Sequence, residues 1–257
     1  MPAAAWNALP LLTEAPVTLP GGSVQIELGC GFLGHKNFAF SPFSRHHHRD
    51  VLSWPTFGGR IGLGSRVDLH ITYEVLFVEE DEFRIKERWK SGDLAFFTKI
   101  HAMRERRLWP ALGVMLGAKL PNAGDTYRVG TDETDLVFFL LAEKRLAAAI
   151  LNAQTGLLIL GNPYGLARQD DLLGYGLAAT VPLRDDVLAR LEFAGQTLGT
   201  ANNQRASAIL RILLDQNHLL WNLSGRVGLL PNSESWGLSG GVQITMAFNA
   251  LKQFFQE

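Results

Sequence analysis

The side chains of this chain best suited to chemistry are its histidines and its paired acids and bases. His46, His47 and His48 are consecutive. Neighbouring side chains of an extended segment diverge, so the three do not converge on one metal ion, and simple surface exposure is expected of them. His70 stands two residues from both Asp68 and Thr72, within hydrogen-bonding reach of either, and His101 follows Lys99 by two. Neither is followed by a serine in the arrangement that a lipid hydrolase would need, and no nucleophile stands beside a base. Glycines are abundant, yet none form GxGxxG between a strand and a helix, so nucleotide binding has no support. The lone Cys30 excludes an internal disulfide and a CxxC knuckle. No catalytic residue, metal ligand or cofactor is expected, and the chain is not read as an enzyme.

The acids and bases are more informative. Glu27, Arg60, Asp68, Glu74, Lys99, Lys119, Asp135, Glu143, Arg190, Glu192, Arg211 and Arg226 divide into six of each sign. Each stands on the polar side of a two-residue alternation. In 67–77, Val67, Leu69, Ile71, Tyr73, Val75 and Phe77 fall on one face and Asp68, His70, Thr72 and Glu74 on the other. In 23–34, Val24, Ile26, Leu28, Cys30 and Phe32 oppose Ser23, Gln25, Glu27 and glycines. The same reading places Leu136, Phe138, Leu140 and Ala142 opposite Asp135 and Glu143, and Leu151, Ala153, Leu157 and Ile159 opposite Asn152, Gln154 and Gly156. Further strands are read near 57–64, 94–101, 112–120, 170–183, 186–198, 204–215, 218–229 and 235–246. The total is about twelve, each of roughly ten to thirteen residues, enough to cross a bilayer when tilted.

Composition agrees. Of 257 residues, 47% are hydrophobic, 19% charged and 26 glycine, with a net charge of −1. That is too apolar for a disordered chain and too neutral to suggest a nucleic-acid partner. No apolar run fits a membrane helix: Asn152, Gln154 and Gly156 break the longest uncharged stretch at every second position. A soluble sandwich would also alternate, but the joins discriminate. Short joins at 65–66, 103–108, 144–147, 184–186 and 215–217 alternate with longer ones at 35–50, 78–91, 122–134, 161–169 and 199–205, which is the habit of an up-and-down membrane barrel. The join at 231–235 is short where a long one is expected. Tyr73, Phe77, Tyr175, Trp221 and Trp236 fall on the apolar face, several near strand ends, as interfacial girdles do. Pro55 and Pro110 are placed at strand ends, where a missing donor is tolerated.

The motifs RIGLGSRVDLHITY (60–73), GDLAFFTKI (92–100), GVMLGAKLPNAGDT through GTDETDLVFFLLAEK (113–144), DDLLGYGLAATVPL (170–183), LARLEFAGQT (188–197) and GLSGGVQITM (237–246) come next, in that order. Together they resemble the small outer-membrane barrels of the MetA-pathway-of-phenol-degradation family over roughly three quarters of the chain. The resemblance implies placement in the bacterial outer membrane and passage of small hydrophobic or aromatic compounds.

The expected architecture is all-β: a transmembrane up-and-down antiparallel β-barrel of about twelve strands. Residues 1–22 form a Pro-rich periplasmic arm, 23–247 the barrel, and 248–257 a short tail. The arm lacks a basic n-region and is broken by prolines, so it is no secretory signal, and a Met before PAAAW favours a chain whose signal has been removed. The tail departs from the usual terminal aromatic strand. Phe248, Leu251, Phe254 and Phe255 have helix-like spacing, which suits an amphipathic helix, with a frayed terminus as the alternative.

If the polar face lines the lumen, Glu27, Glu74, Lys99, Glu192, Arg211 and Arg226 fall in its middle layer. Their bland role is a salt-bridge network that fills a narrow barrel, and their sharper role a constriction that orients a solute. A strongly ion-selective pore would want one sign of charge. The expected function is a passive channel or transporter for a small, apolar or aromatic solute, with both termini periplasmic. The alternative is a structural barrel anchoring a larger envelope complex. Expected partners are outer-membrane lipid, the small-molecule solute, and a periplasmic or surface protein met through tail and loops; no nucleic acid is expected.

Overall fold

The structure is a computed structural model that describes residues 12–36, 49–80, 89–123, 131–162, 169–216 and 219–247. The histidine run 46–48 and the tail 248–257 lie outside the described residues.

Thirteen strands follow one another: β1 (Ser23–Gly34), β2 (Arg49–Gly62), β3 (Val67–Glu80), β4 (Trp89–Ser91), β5 (Leu94–Met103), β6 (Ala111–Leu120), β7 (Asp135–Arg145), β8 (Ile150–Leu160), β9 (Asp170–Pro182), β10 (Val187–Thr197), β11 (Arg205–Gln216), β12 (Leu219–Gly228) and β13 (Trp236–Ala247). β4 and β5 both pair with β3 and are two pieces of one stave, broken at Gly92 and Asp93. Each stave pairs antiparallel with its sequence neighbour. The last, β13, returns to the first in an unbroken register from Ser23↔Ala247 to Gly34↔Trp236. The sheet is therefore a closed barrel of twelve staves.

The period of two decides which way each residue points. In β7, Leu136, Phe138 and Leu140 are 40–51% exposed on the outside, whereas Val137, Phe139 and Leu141 are at most 4% exposed inside. Leu28, Leu69, Phe96, Leu191, Leu223 and Leu238 repeat the exposed pattern on other strands. An exterior of leucine and phenylalanine this continuous would be an aggregation hazard in water, and it suits lipid. Trp221 and Trp236 are exposed on it, and the ring of Trp236 packs on Phe32 and that of Trp89 on Phe77. Among the described residues the only helical piece is a 3-10 turn, Ala201–Asn203, and crossing falls to the strands.

At one end the staves are joined tightly. Leu63 N donates to Val67 O at 2.8 Å, Leu146 N to Ala149 O at 2.8 Å and Leu183 N to Val187 O at 2.8 Å. Gly64, at φ +123°, turns the chain where a side chain would be strained. The turn between β5 and β6 is held by Lys144, whose Nζ donates to the carbonyls of Arg106 and Arg107 and pairs with Glu105 at 2.9 Å. That hydrogen bond keeps the Glu105 carboxyl below its ordinary pKa range. The opposite end carries the longer joins.

Two placements differ from expectation. β2 reaches back to Arg49, because its upper half pairs with β3 as far as Glu80. Pro55 thus lies inside a strand and not at its end. The ladder accommodates it by a bulge in which Trp54 and Pro55 together oppose Val75, so no cross-strand bond requires the missing N–H. The inner face is also less polar than alternation suggested. Ala95, Phe97, Met115, Val137, Phe139, Leu141, Leu158, Leu160 and Leu172 form one buried cluster on the inward side of β5 to β9.

Candidate functional site in the lumen

All the charged residues expected on the polar face belong to inward positions. Glu27, Glu74, Lys99, Glu192 and Arg211 are each at most 6% exposed, and the Arg226 side chain is 9% exposed. Their partners overlap in a chain of contacts that runs from the arm to Lys36 and Glu234.

The chain's own arm occupies part of the lumen, from Leu19 beside Asp68 near the short turns to Leu12 beside Leu33. Residues 12–20 precede β1 and run inside the barrel. Arg190 Nη2 donates to Thr13 O at 2.6 Å, and Thr13 N donates to the Glu192 carboxylate. Glu14 N donates to Gln154 Oε1 at 2.8 Å, and Gln154 Nε2 returns a bond to Leu12 O at 3.1 Å. The Glu14 carboxylate pairs with Arg60 at 2.8 Å through one oxygen and with Lys99 at 3.4 Å through the other. Lys99 also lies 4.0 Å from Asp68, which accepts from Leu19 N at 3.0 Å and contacts His70 Nε2 at 2.6 Å. Leu12 packs with Leu33 and Ile209.

Glycines make room for this arm. A Cβ on Gly113 would lie 2.9 Å from the Pro16 ring, and one on Gly176 would strike Thr13 Oγ1. Gly113 and Gly176 are thus contact surfaces for the arm.

In the middle, Arg211 stands within electrostatic reach of Glu192, Arg190, Glu27 and Arg226. Asn222 Nδ2 reaches Glu27 Oε1 at 3.5 Å. Toward the long-loop end the contacts continue on the wall of β11 and β12. Glu234 Oε1 accepts from Arg226 Nη1 at 3.0 Å and from Ser207 Oγ at 2.9 Å. Lys36, just after β1, lies within electrostatic reach of Glu74, Arg205, Glu234 and Arg226. Of the six expected residues, Lys99 and Glu192 meet the arm, Arg211 stands within electrostatic reach of Glu192 and Glu27, and Glu74 and Arg226 lie within reach of Lys36. Among the described residues, no three of His, Cys, Asp and Glu are gathered where they could hold a metal ion. His101 Nε2 contacts Met103 O at 3.0 Å.

Residue-by-residue reading missed Leu12, Thr13, Glu14, Lys36 and Arg205, which lie outside or at the edge of the alternating runs. It also passed over the inward apolar cluster. The signal for that cluster was present: in DLVFFLLAEK both faces are apolar, so the alternation lapses.

No known protein family and no curated protein matches the chain. Solved structures do. An outer-membrane channel of Pseudomonas putida is similar over 90% of this chain and 97% of its own, at 12% identity and a TM-score of 0.68. The translocator domain of the autotransporter NalP from Neisseria meningitidis is similar over 88% of each chain, at 13% identity and a TM-score of 0.52. Identities this low speak for fold alone. Closed, lipid-faced outside and charged within, the chain has the fold of a bacterial outer-membrane β-barrel.

Proposed function

We propose that the barrel is a passive outer-membrane channel for a small apolar or aromatic solute, held shut by residues 12–20 of its own arm. The observation that carries this reading is the inward apolar cluster on β5 to β9. A water-filled pore for polar solutes has no use for Phe97, Phe139 and Leu158 on its inner wall, whereas an apolar solute is bound by them. The ordered motifs resembling the MetA-pathway barrels favour the same solute class. The arm and the tightly turned end are assigned to the periplasm, since short turns lie there in barrels of this type. Glu27, Glu192 and Arg211 are assigned to the narrow middle of the path, and the reading involves no enzymatic step.

A second reading has support of its own. An arm hydrogen-bonded into the lumen from Leu12 to Leu19 also suits a barrel that never opens and serves to anchor an envelope complex.

Planar-bilayer recording separates the two. The channel reading expects small, infrequent currents from the native chain, large steady ones after deletion of residues 2–20, and slower uptake of phenol by cells lacking the protein. No current from either form, with uptake unchanged and a co-purifying protein lost on removal of 248–257, would establish the anchor.

A further inference from the structure

At the long-loop end of the lumen stands a cation, Arg205, two of whose nitrogens find no hydrogen-bond partner among the described residues. Arg205 opens β11, and its place in the ladder, opposite Gln196 and two residues before the buried Ser207, turns it inward. Its Nε and Nη2 are shielded from solvent, and among the described residues neither makes a hydrogen bond. Glu234 is the acid that acts on it electrostatically. That acid is already engaged by Ser207 and Arg226 through Oε1, and it forms no ion pair with Arg205 within 4.0 Å. A guanidinium stays charged at any physiological pH, and although this side chain is half-buried as a whole, shutting two of its nitrogens away from water without an acceptor is costly. Its planar fork matches a carboxylate, two N–H donors to two oxygens.

What surrounds Arg205 says more about the ligand. Following cross-strand partners from Arg205 gives Gln196, then Gly174, Gly156, Phe139 and Met115, all inward. The Phe139 ring lies over the two glycines: a Cβ on Gly174 would come within 2.7 Å of it and one on Gly156 within 2.8 Å. One continuous row of the inner wall therefore passes from this guanidinium to a flat apolar surface. Lys36, within reach of Arg205, is a second basic side chain at the same end.

We infer that the long-loop end of the lumen is a recognition site for an amphipathic carboxylate, its head on Arg205 and its apolar body along Phe139, Leu158 and Leu172. This rests on the channel reading and narrows its solute from apolar molecules in general to apolar acids.

Calorimetric titration of the full chain in phosphatidylcholine nanodiscs, with empty discs as reference, tests it. Octanoate and octanol share a chain and differ in the head. Octanoate is expected to bind at least tenfold more tightly. Arg205→Gln should lower octanoate affinity about tenfold and leave octanol unchanged. Should Arg205→Gln fail to show heat-modifiable gel migration, Lys36→Gln is read in its place, with a smaller loss in the same direction. Equal binding of octanoate and octanol, or octanoate affinity indifferent to both substitutions, would overturn the inference. So would loss of octanoate binding in discs of phosphatidylglycerol, which would give the site to a lipid phosphate. Binding is read without transport, so a chain that binds octanoate but conducts nothing refutes the channel and leaves the site standing.

Discussion

Glu14 does most to tie the arm to the barrel. Its carboxylate meets Arg60 and Lys99 through separate oxygens, and its amide meets Gln154. Removing one partner from such a buried set leaves the others uncompensated, at about 3–5 kcal/mol. Glu14→Ala is accordingly expected to release the arm and raise mean single-channel conductance at least tenfold, with the barrel still folded by gel migration. Traces like those of the native chain would show that the arm is held by other contacts. None of this was visible in residues 12–20, which have no period and no motif. Their role depends on residues far along the chain. Asp68 and His70 were legible together, because their contact spans two residues of one strand.

The strand is the element that sequence describes best. A side chain every second position is a local property, so the outward placement of Leu191 and the inward placement of Arg190 and Glu192 follow from β10 alone. Leu191, 61% exposed, faces lipid near mid-strand. Leu191→Arg places a charge in hydrocarbon and is expected to cost about 2–4 kcal/mol of folding stability in urea titrations into lipid vesicles. A cost near zero would mean that this face meets water or protein. Local reading failed at two places on strands. Pro55 sits in a bulge that only pairing with β3 creates, and in β7 the residues between Asp135 and Glu143 are apolar on both faces, so period two no longer says which face is the wetter.

Closure is a property of the whole molecule. β1 and β13 stand at opposite ends of the chain, and their twelve-residue register removes both free edges at once. A closed barrel unfolds as a unit with a high barrier, so the unheated protein in detergent should run faster on gels than the boiled one and fractionate with outer membranes. A species that migrates identically boiled and unboiled would contradict the closed barrel. The −1 net charge also takes its meaning at this scale. The charges that face the lumen are packed against one another and against the arm, which is the condition for burying them.

The sequence by itself determined the alternation, the two faces and their solvents, the approximate strand count and the separation of short from long joins. Each of these is written in neighbours along the chain, where a strand's geometry converts spacing directly into direction. Only the tertiary structure decided that residues 12–20 lie inside the lumen, that glycines at 113 and 176 make room for them, and that Arg205 and Phe139 share one inner row. Those contacts join residues such as Glu14 and Gln154, 140 positions apart. Strand tilt and ladder register bring them together, and neither is written in the local period.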